Sequence, residues 1–185
     1  LPLHKLIADN IEALQAGAAI IDGLAVEQFT MAFEPIVLAS CGKHFRHIAD
    51  HYTSFFHGLS SGYVDYNNRK RETVIESDPT TAQAHIHTLI EQLTDLKSGL
   101  LGCYSADMPL KIGLDTSVEE RQLIPTESSV ARELVFLHSH TTHHFSIIAT
   151  VLTLLNCPVE RDFGIAPSTR NHELNVSAAN QSASP

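Results

Sequence analysis

Apolar residues along this chain recur mostly at three- and four-residue intervals, the spacing that gathers them on one face of a helix. Leu6, Ile7, Leu14, Ala18, Ile21 and Leu24 predict a first amphipathic helix from His4 to about Gln28, with Gly17 suited to a close helix approach. The pattern breaks at Pro35. A second helix is expected within Ile36 to Leu59, with an irregular start around Ser40 to Gly42 and with Phe45, Ile48, Tyr52, Phe55 and Phe56 on its apolar face. "SSGYVDYNNRKR" then reads as a polar loop. Ser77 or Asp78 can cap a third helix, and Pro79 suits its first turn. Ile86, Leu89, Ile90, Leu93 and Leu96 form its stripe. A fourth helix begins near Ser128, which either that residue or Ser129 can cap, and ends near Asn156 ahead of Pro158.

Two stretches lack this period. Between the third and fourth helices, residues 102–127 include "MPLKIGLD" and "RQLIPTES", broken by Gly and Pro with weak alternation. They predict a small hairpin or extended excursion, placed where it can wall a substrate or merely cover a helix seam. The end of the chain is rich in Ser, Ala and Asn and predicts a frayed tail. The expected fold is therefore all-α: a four-helix bundle with one extended excursion, over residues 1–170, and a flexible tail over 171–185.

Charge narrows the function. Twelve Lys and Arg against 21 Asp and Glu leave a net charge of -9, which repels phosphate backbones and anionic membranes. Neither nucleic acid nor a membrane is an expected partner. The apolar runs fall short of a membrane span, and "LPLHKLIADN" acquires charge too early for a signal peptide, so a cytoplasmic protein is expected. Cys41, Cys103 and Cys157 form no CxxC pair and read as small buried hydrophobes.

The histidines carry the candidate chemistry. "HSHTTHH", His138 to His144, holds four of the chain's twelve. His140 and His144 are four apart and share a helix face, while His143 is turned about 100° away. In "GKHFRHIADHY", His44, His47 and His51 share one face at offsets of three and four. An HxxxH pair and one imidazole from a neighbouring helix can hold a metal and leave a coordination position open. No HExxH or di-iron carboxylate pattern is present. Spacing alone leaves three readings: a three-histidine metal site, a solvated polar face, and a metal-free acid–base site.

"HFRHIADHY" at 44–52, "HSHTTHHF" at 138–145 and "FGIAPST" at 163–169 resemble the DinB-like superfamily of metal-binding four-helix bundles. The likeness runs from the first helix to Thr169. It implies one divalent metal ion, zinc or nickel among the late divalent ions, on His47, His140 and His144. It places His51 as either a supporting partner or the ligand one turn along, with His44 at the other end of that face. It leaves His143 packed beside the site, His138 peripheral, and His85 and His87 on the surface. Asp50 can pair with Arg46 or orient an imidazole. Asp65, Tyr66 and Arg69 lie either near the mouth or in a solvated loop. Arg46, Arg69 and Arg71 are the cations expected there.

The same resemblance implies a metal-dependent thiol transferase or hydrolase acting on a small electrophilic substrate, with a low-molecular-weight thiol as cofactor or partner. A non-catalytic metal-binding or stress-associated scaffold is the alternative. Homodimerisation through helix faces is expected from the family and from Phe55 and Phe56.

Overall fold

Each long apolar stripe becomes the buried face of a helix in the computed structural model, which describes residues 2–67, 73–115 and 125–182. Helix α1 (Pro2–Asp22) buries Ile7, Leu14, Ala18 and Ile21. It stops earlier than predicted, because Gly23 and Leu24 turn back to hydrogen-bond the carbonyls of Ile20 and Ile21. A short α2 (Val26–Thr30) follows and places Phe29 in the core. Helix α3 (Cys41–Leu59) begins where Ser40 accepts a hydrogen bond from the Lys43 amide, so the segment from Ile36 to Ala39 stays outside it. Its buried positions Phe45, Ile48, Tyr52, Phe55 and Leu59 keep helical phase.

Helix α4 (Pro79–Ser98) is capped by the Asp78 carboxylate, which accepts from the Thr80 and Thr81 amides, and Gly99 at φ 82° ends it. Helix α5 (Val130–Leu154) starts at Ser129, whose hydroxyl accepts from the Arg132 amide. Helices α1 and α3 each pack against α4 and α5. At Gly17 a Cβ would lie 2.8 Å from Phe145 Cζ and 3.2 Å from Phe45 Cε1, so glycine lets α1 approach both neighbours.

A polar network crosses this apolar interior. The buried Asn10 side chain donates to the carbonyls of Leu6 and Leu134 and accepts from the Tyr52 hydroxyl at 2.7 Å. Thr141 in turn donates to Tyr52 at 3.3 Å. One side chain on α1 thus fixes the height of α3 and α5 one residue away from His51 and His140. Left unpaired, each buried group would cost about 1–3 kcal/mol.

The excursion contains β2 (Pro109–Gly113) antiparallel to β3 (Thr126–Ser129). A further strand, β1 (Tyr63–Asp65), pairs in parallel with β2, Val64 opposite Ile112, inside the segment expected to be a polar loop. Three residues are too few to show a period, and their partner is remote in sequence. Past Pro158, where no helical period is legible, Pro167–Ser182 winds into α6, exposed along 167–176, so a boundary at residue 170 falls inside that helix. The described chain is mostly helical with one small three-stranded sheet. None of its described helices is long and apolar enough to cross a membrane.

Candidate metal centre

On α3 and α5 every histidine of interest immediately precedes a buried residue: His44 before Phe45, His47 before Ile48, His51 before Tyr52, His140 before Thr141, His144 before Phe145. One residue is about 100° of helix, so both helices carry a histidine stripe beside the core stripe. Because α3 packs on α5, the two histidine stripes meet.

One meeting point joins His47, His51 and His140, each offering one ring nitrogen within 4.8 Å of the others. His47 Nε2 and His140 Nε2 are 3.0 Å apart. Two nitrogens bound tetrahedrally to a zinc-sized ion at 2.0–2.1 Å would lie about 3.3 Å apart, so the His47–His140 pair is spaced for such an ion and His51 has only to draw in. His51 Nδ1 donates to the His47 carbonyl at 2.8 Å, which leaves the lone pair on Nε2. That is the tautomer a metal-ligating histidine adopts, with its other nitrogen held by an acceptor.

Of the trio implied by resemblance, His47 and His140 belong to this close group. His144 lies beside them, its ring centroid 4.6 Å from His47 and 4.5 Å from His140, but its Nδ1 faces His44 Nδ1 at 2.9 Å. His144 is pushed down to about 3, first by burial and then by His140, His44, His143 and His51 around it, so it is a neutral imidazole. His44 is also lowered, by burial and then by His143, and its buried Nε2 has no hydrogen-bond partner. His143 is exposed and touches only the edge of this set, 5.2 Å from the His144 ring. His138 lines a separate hollow between α1, α5 and the Asp162–Pro167 segment.

Aromatic rings close the outer side. Tyr66 stacks on His51 at 5.2 Å and Phe136 stacks on His140 at 5.4 Å, with 5.3 Å between Tyr66 and Phe136. The Tyr66 hydroxyl donates to the buried Glu133 carboxylate at 2.7 Å. Burial and that carboxylate push the phenol well above its usual range, so it remains a donor. Ser128 at 2.5 Å and Arg132 at 3.3 Å complete the partners of Glu133. Sequence reasoning singled out Tyr66 but missed Glu133, Arg132 and Phe136. The signal for Glu133 is its position, three after Val130 and four before Leu137, where the buried stripe calls for an apolar residue.

Other expected side chains have different tasks. Arg46 pairs with Asp50 and with Glu76, both at 2.7 Å, so it is committed to two carboxylates. Arg69 and Arg71 lie outside the described residues. Asp65 caps its own turn by accepting from the Asn67 amide. His85 is half-buried against Thr53 at 3.3 Å instead of lying on the surface, whereas His87 is exposed. Cys41 is buried and its thiol is pushed up to about 12, first by burial and then by Cys157, which makes it a poor nucleophile; Cys103 is exposed, against expectation. Phe55 is fully buried and Phe56 packs against the core, so both serve the fold of one chain.

No protein-family model and no solved structure matches the chain. A 109-residue stretch, 59% of this chain, is 28% identical to FK506-binding protein 5 of Rhizopus delemar. That stretch is 27% of the relative's length, so the chain spans about a quarter of the curated protein it is similar to.

Proposed function

We infer that the protein binds one divalent metal ion, zinc or nickel, on His47, His51 and His140, within a four-helix bundle of the DinB-like kind. The observation that carries this reading is the convergence of three imidazole nitrogens within 4.8 Å, supplied by two packed helices. All-nitrogen ligation suits a late divalent ion. The resemblance names His144 as the third ligand, and the spacing of the ring nitrogens supports His51 instead. A neutral His144 beside the trio then acts as a neighbouring donor or acceptor.

A bound ion with an open position lowers the pKa of water or of a thiol and polarises a carbonyl. The chain's own contribution is orientation and exclusion. The His47 carbonyl sets the His51 tautomer, and the Tyr66 and Phe136 rings keep water from the outer faces of His51 and His140. Glu133 holds Tyr66 in place. The activity that suits such a centre is thiol transfer or hydrolysis at a small electrophile, with a low-molecular-weight thiol as co-substrate, in a cytoplasmic protein.

Elemental analysis of protein purified without a nickel column, followed by zinc titration of His47→Ala, His51→Ala, His140→Ala and His144→Ala, tests the site. One equivalent of metal, lost in the first three variants and kept in the fourth, is the expected result. Loss in His144→Ala with retention in His51→Ala would return the ligand set to His47, His140 and His144. Metal retained without turnover across a thiol-and-electrophile panel would make the protein a metal-binding scaffold.

A further inference from the structure

Beside the histidines, on the far side of the aromatic wall, lies a cleft of about 420 Å³ between Tyr66, β2, β3 and the start of α5. We propose that this cleft binds a small molecule with an aromatic or branched apolar body and a carboxylate end, the carboxylate held by Arg132. Its use as the substrate side of the centre rests on the metal reading above; the ligand class rests on the cleft itself.

Three features define that class. The volume is at the small end of the range for small-molecule sites. Its walls include Ile112, Leu114 and the Phe136 ring, a surface for an apolar body. Among the described lining residues the cation is Arg132, whose guanidinium lies 5.4 Å from the Phe136 ring centroid and whose side chain is 64% exposed. One Arg132 nitrogen touches Glu133 at 3.3 Å, and a guanidinium has five N–H donors in a planar fork that matches a carboxylate.

Among the described residues, two acidic side chains line the cleft. Glu133 is 1% exposed and meets Tyr66, Ser128 and Arg132, so it steadies the arginine from behind. Glu127 leans toward Lys111 at 3.8 Å. A carboxylate seated on Arg132 lays its apolar body across Phe136 and Ile112. Tyr66 and Phe136 belong both to the cleft and to the stack on His51 and His140, so a ligand in the cleft lies against the rings that cover the histidines.

The test uses phenylacetate and its neutral counterpart phenylacetamide, titrated into the full chain after chelator treatment and followed by protein chemical shifts. Phenylacetate is expected to bind at least about 10-fold more tightly, the size of one charge-assisted hydrogen bond, with shifts at Ile112 and Phe136. Arg132→Gln should erase the difference and Arg132→Lys should restore part of it, each with an unchanged melting temperature. Equal affinity for the two probes, no binding of phenylacetate, or a preference that survives Arg132→Gln would overturn the proposal. Zinc titration of the same samples separates the two readings. Zinc retained with no Arg132-dependent binding sinks the cleft alone, while Arg132-dependent binding without zinc retention supports the cleft and sinks the metal centre.

Discussion

Helices α1 and α4 pack on each other, and so do α3 and α5, yet among the described residues it is the α3–α5 seam that brings histidines together. Along α4 the buried positions Ala82, Ile86, Leu89, Leu93 and Leu96 are apolar throughout, and α1 meets them with Ile7, Leu14, Ala18 and Ile21. Helices α3 and α5 bury the same three-four rhythm but add a histidine one position before the core residue. That position lies at the edge of the buried face, where His44 and His51 are buried and His47, His140 and His144 are half-buried. A reactive stripe placed there leaves the core intact. On the proposed metal reading, stability and metal binding then rest on different residues, and substitutions can separate them.

The largest separation is expected at the ligands. His47→Ala or His140→Ala should weaken zinc binding by roughly two to three orders of magnitude, one ligand's share of a zinc binding energy of about 10–16 kcal/mol. A competing chelator dye measures it, and His138→Ala and His143→Ala serve as controls that retain zinc. With zinc stripped from every sample, these variants should melt as the metal-free wild type does. Leu89→Ala, in the other seam, should do the reverse. It should cost about 2–5 kcal/mol in urea unfolding while zinc stoichiometry stays unchanged. A zinc defect in folded Leu89→Ala would break the division between the seams.

Tyr52→Phe probes the joint between them, because its hydroxyl links Asn10 on α1 to Thr141 on α5. A loss of about 1–3 kcal/mol is expected from the unpaired Asn10 oxygen, again by urea unfolding. The smallest effect is on pH. His144, His44 and His85 are all lowered from 6.5 in the fold, so below that value the unfolded chain binds more protons than the folded one. Stability of the metal-free protein is therefore fully present above about 6.5 and falls with pH, a loss that continues toward 3 for His144. Melting curves from pH 7 to pH 5 should shift down, less so in His144→Gln. A level profile in the wild type would show that the histidine seam carries no such strain.

The helices are legible in the sequence because burial imposes a period on them, and Gly17 announces the close approach of Phe45 and Phe145. The hairpin shows through its Gly and Pro breaks, although residues 116–124 between its strands lie outside the described residues. Strand β1 does not show, since its pairing partner is set by the fold. At the site, helical spacing puts His44, His47 and His51 on one face and His140 and His144 on another but cannot rank them as ligands; His51 and His144 differ by which neighbour each ring nitrogen meets. Asn10 and Glu133 are legible only in retrospect, as polar residues at core phase: Asn10 is three after Ile7 and four before Leu14. Arg132 gives no sequence signal, because its place over Phe136 depends on β2 and β3 as well as on α5.

The parallel pairing of β1 with β2 has a consequence for the order of folding. It encloses α4, so the two strands meet only after a closure of roughly 45 residues, an entropic barrier of about 3–4 kcal/mol. Three facing residue pairs cannot offset that alone. Helix α4 must first dock and shorten the span, which makes this ladder a late event. Tyr66 follows directly on β1 and forms its hydrogen bond to Gly113 as the ladder closes. The ring that covers His51 thus arrives after the helices that present the histidines. In pulse-labelled hydrogen exchange, the amides of Val64 and Tyr66 should gain protection later than those in the middle of α3 and α5.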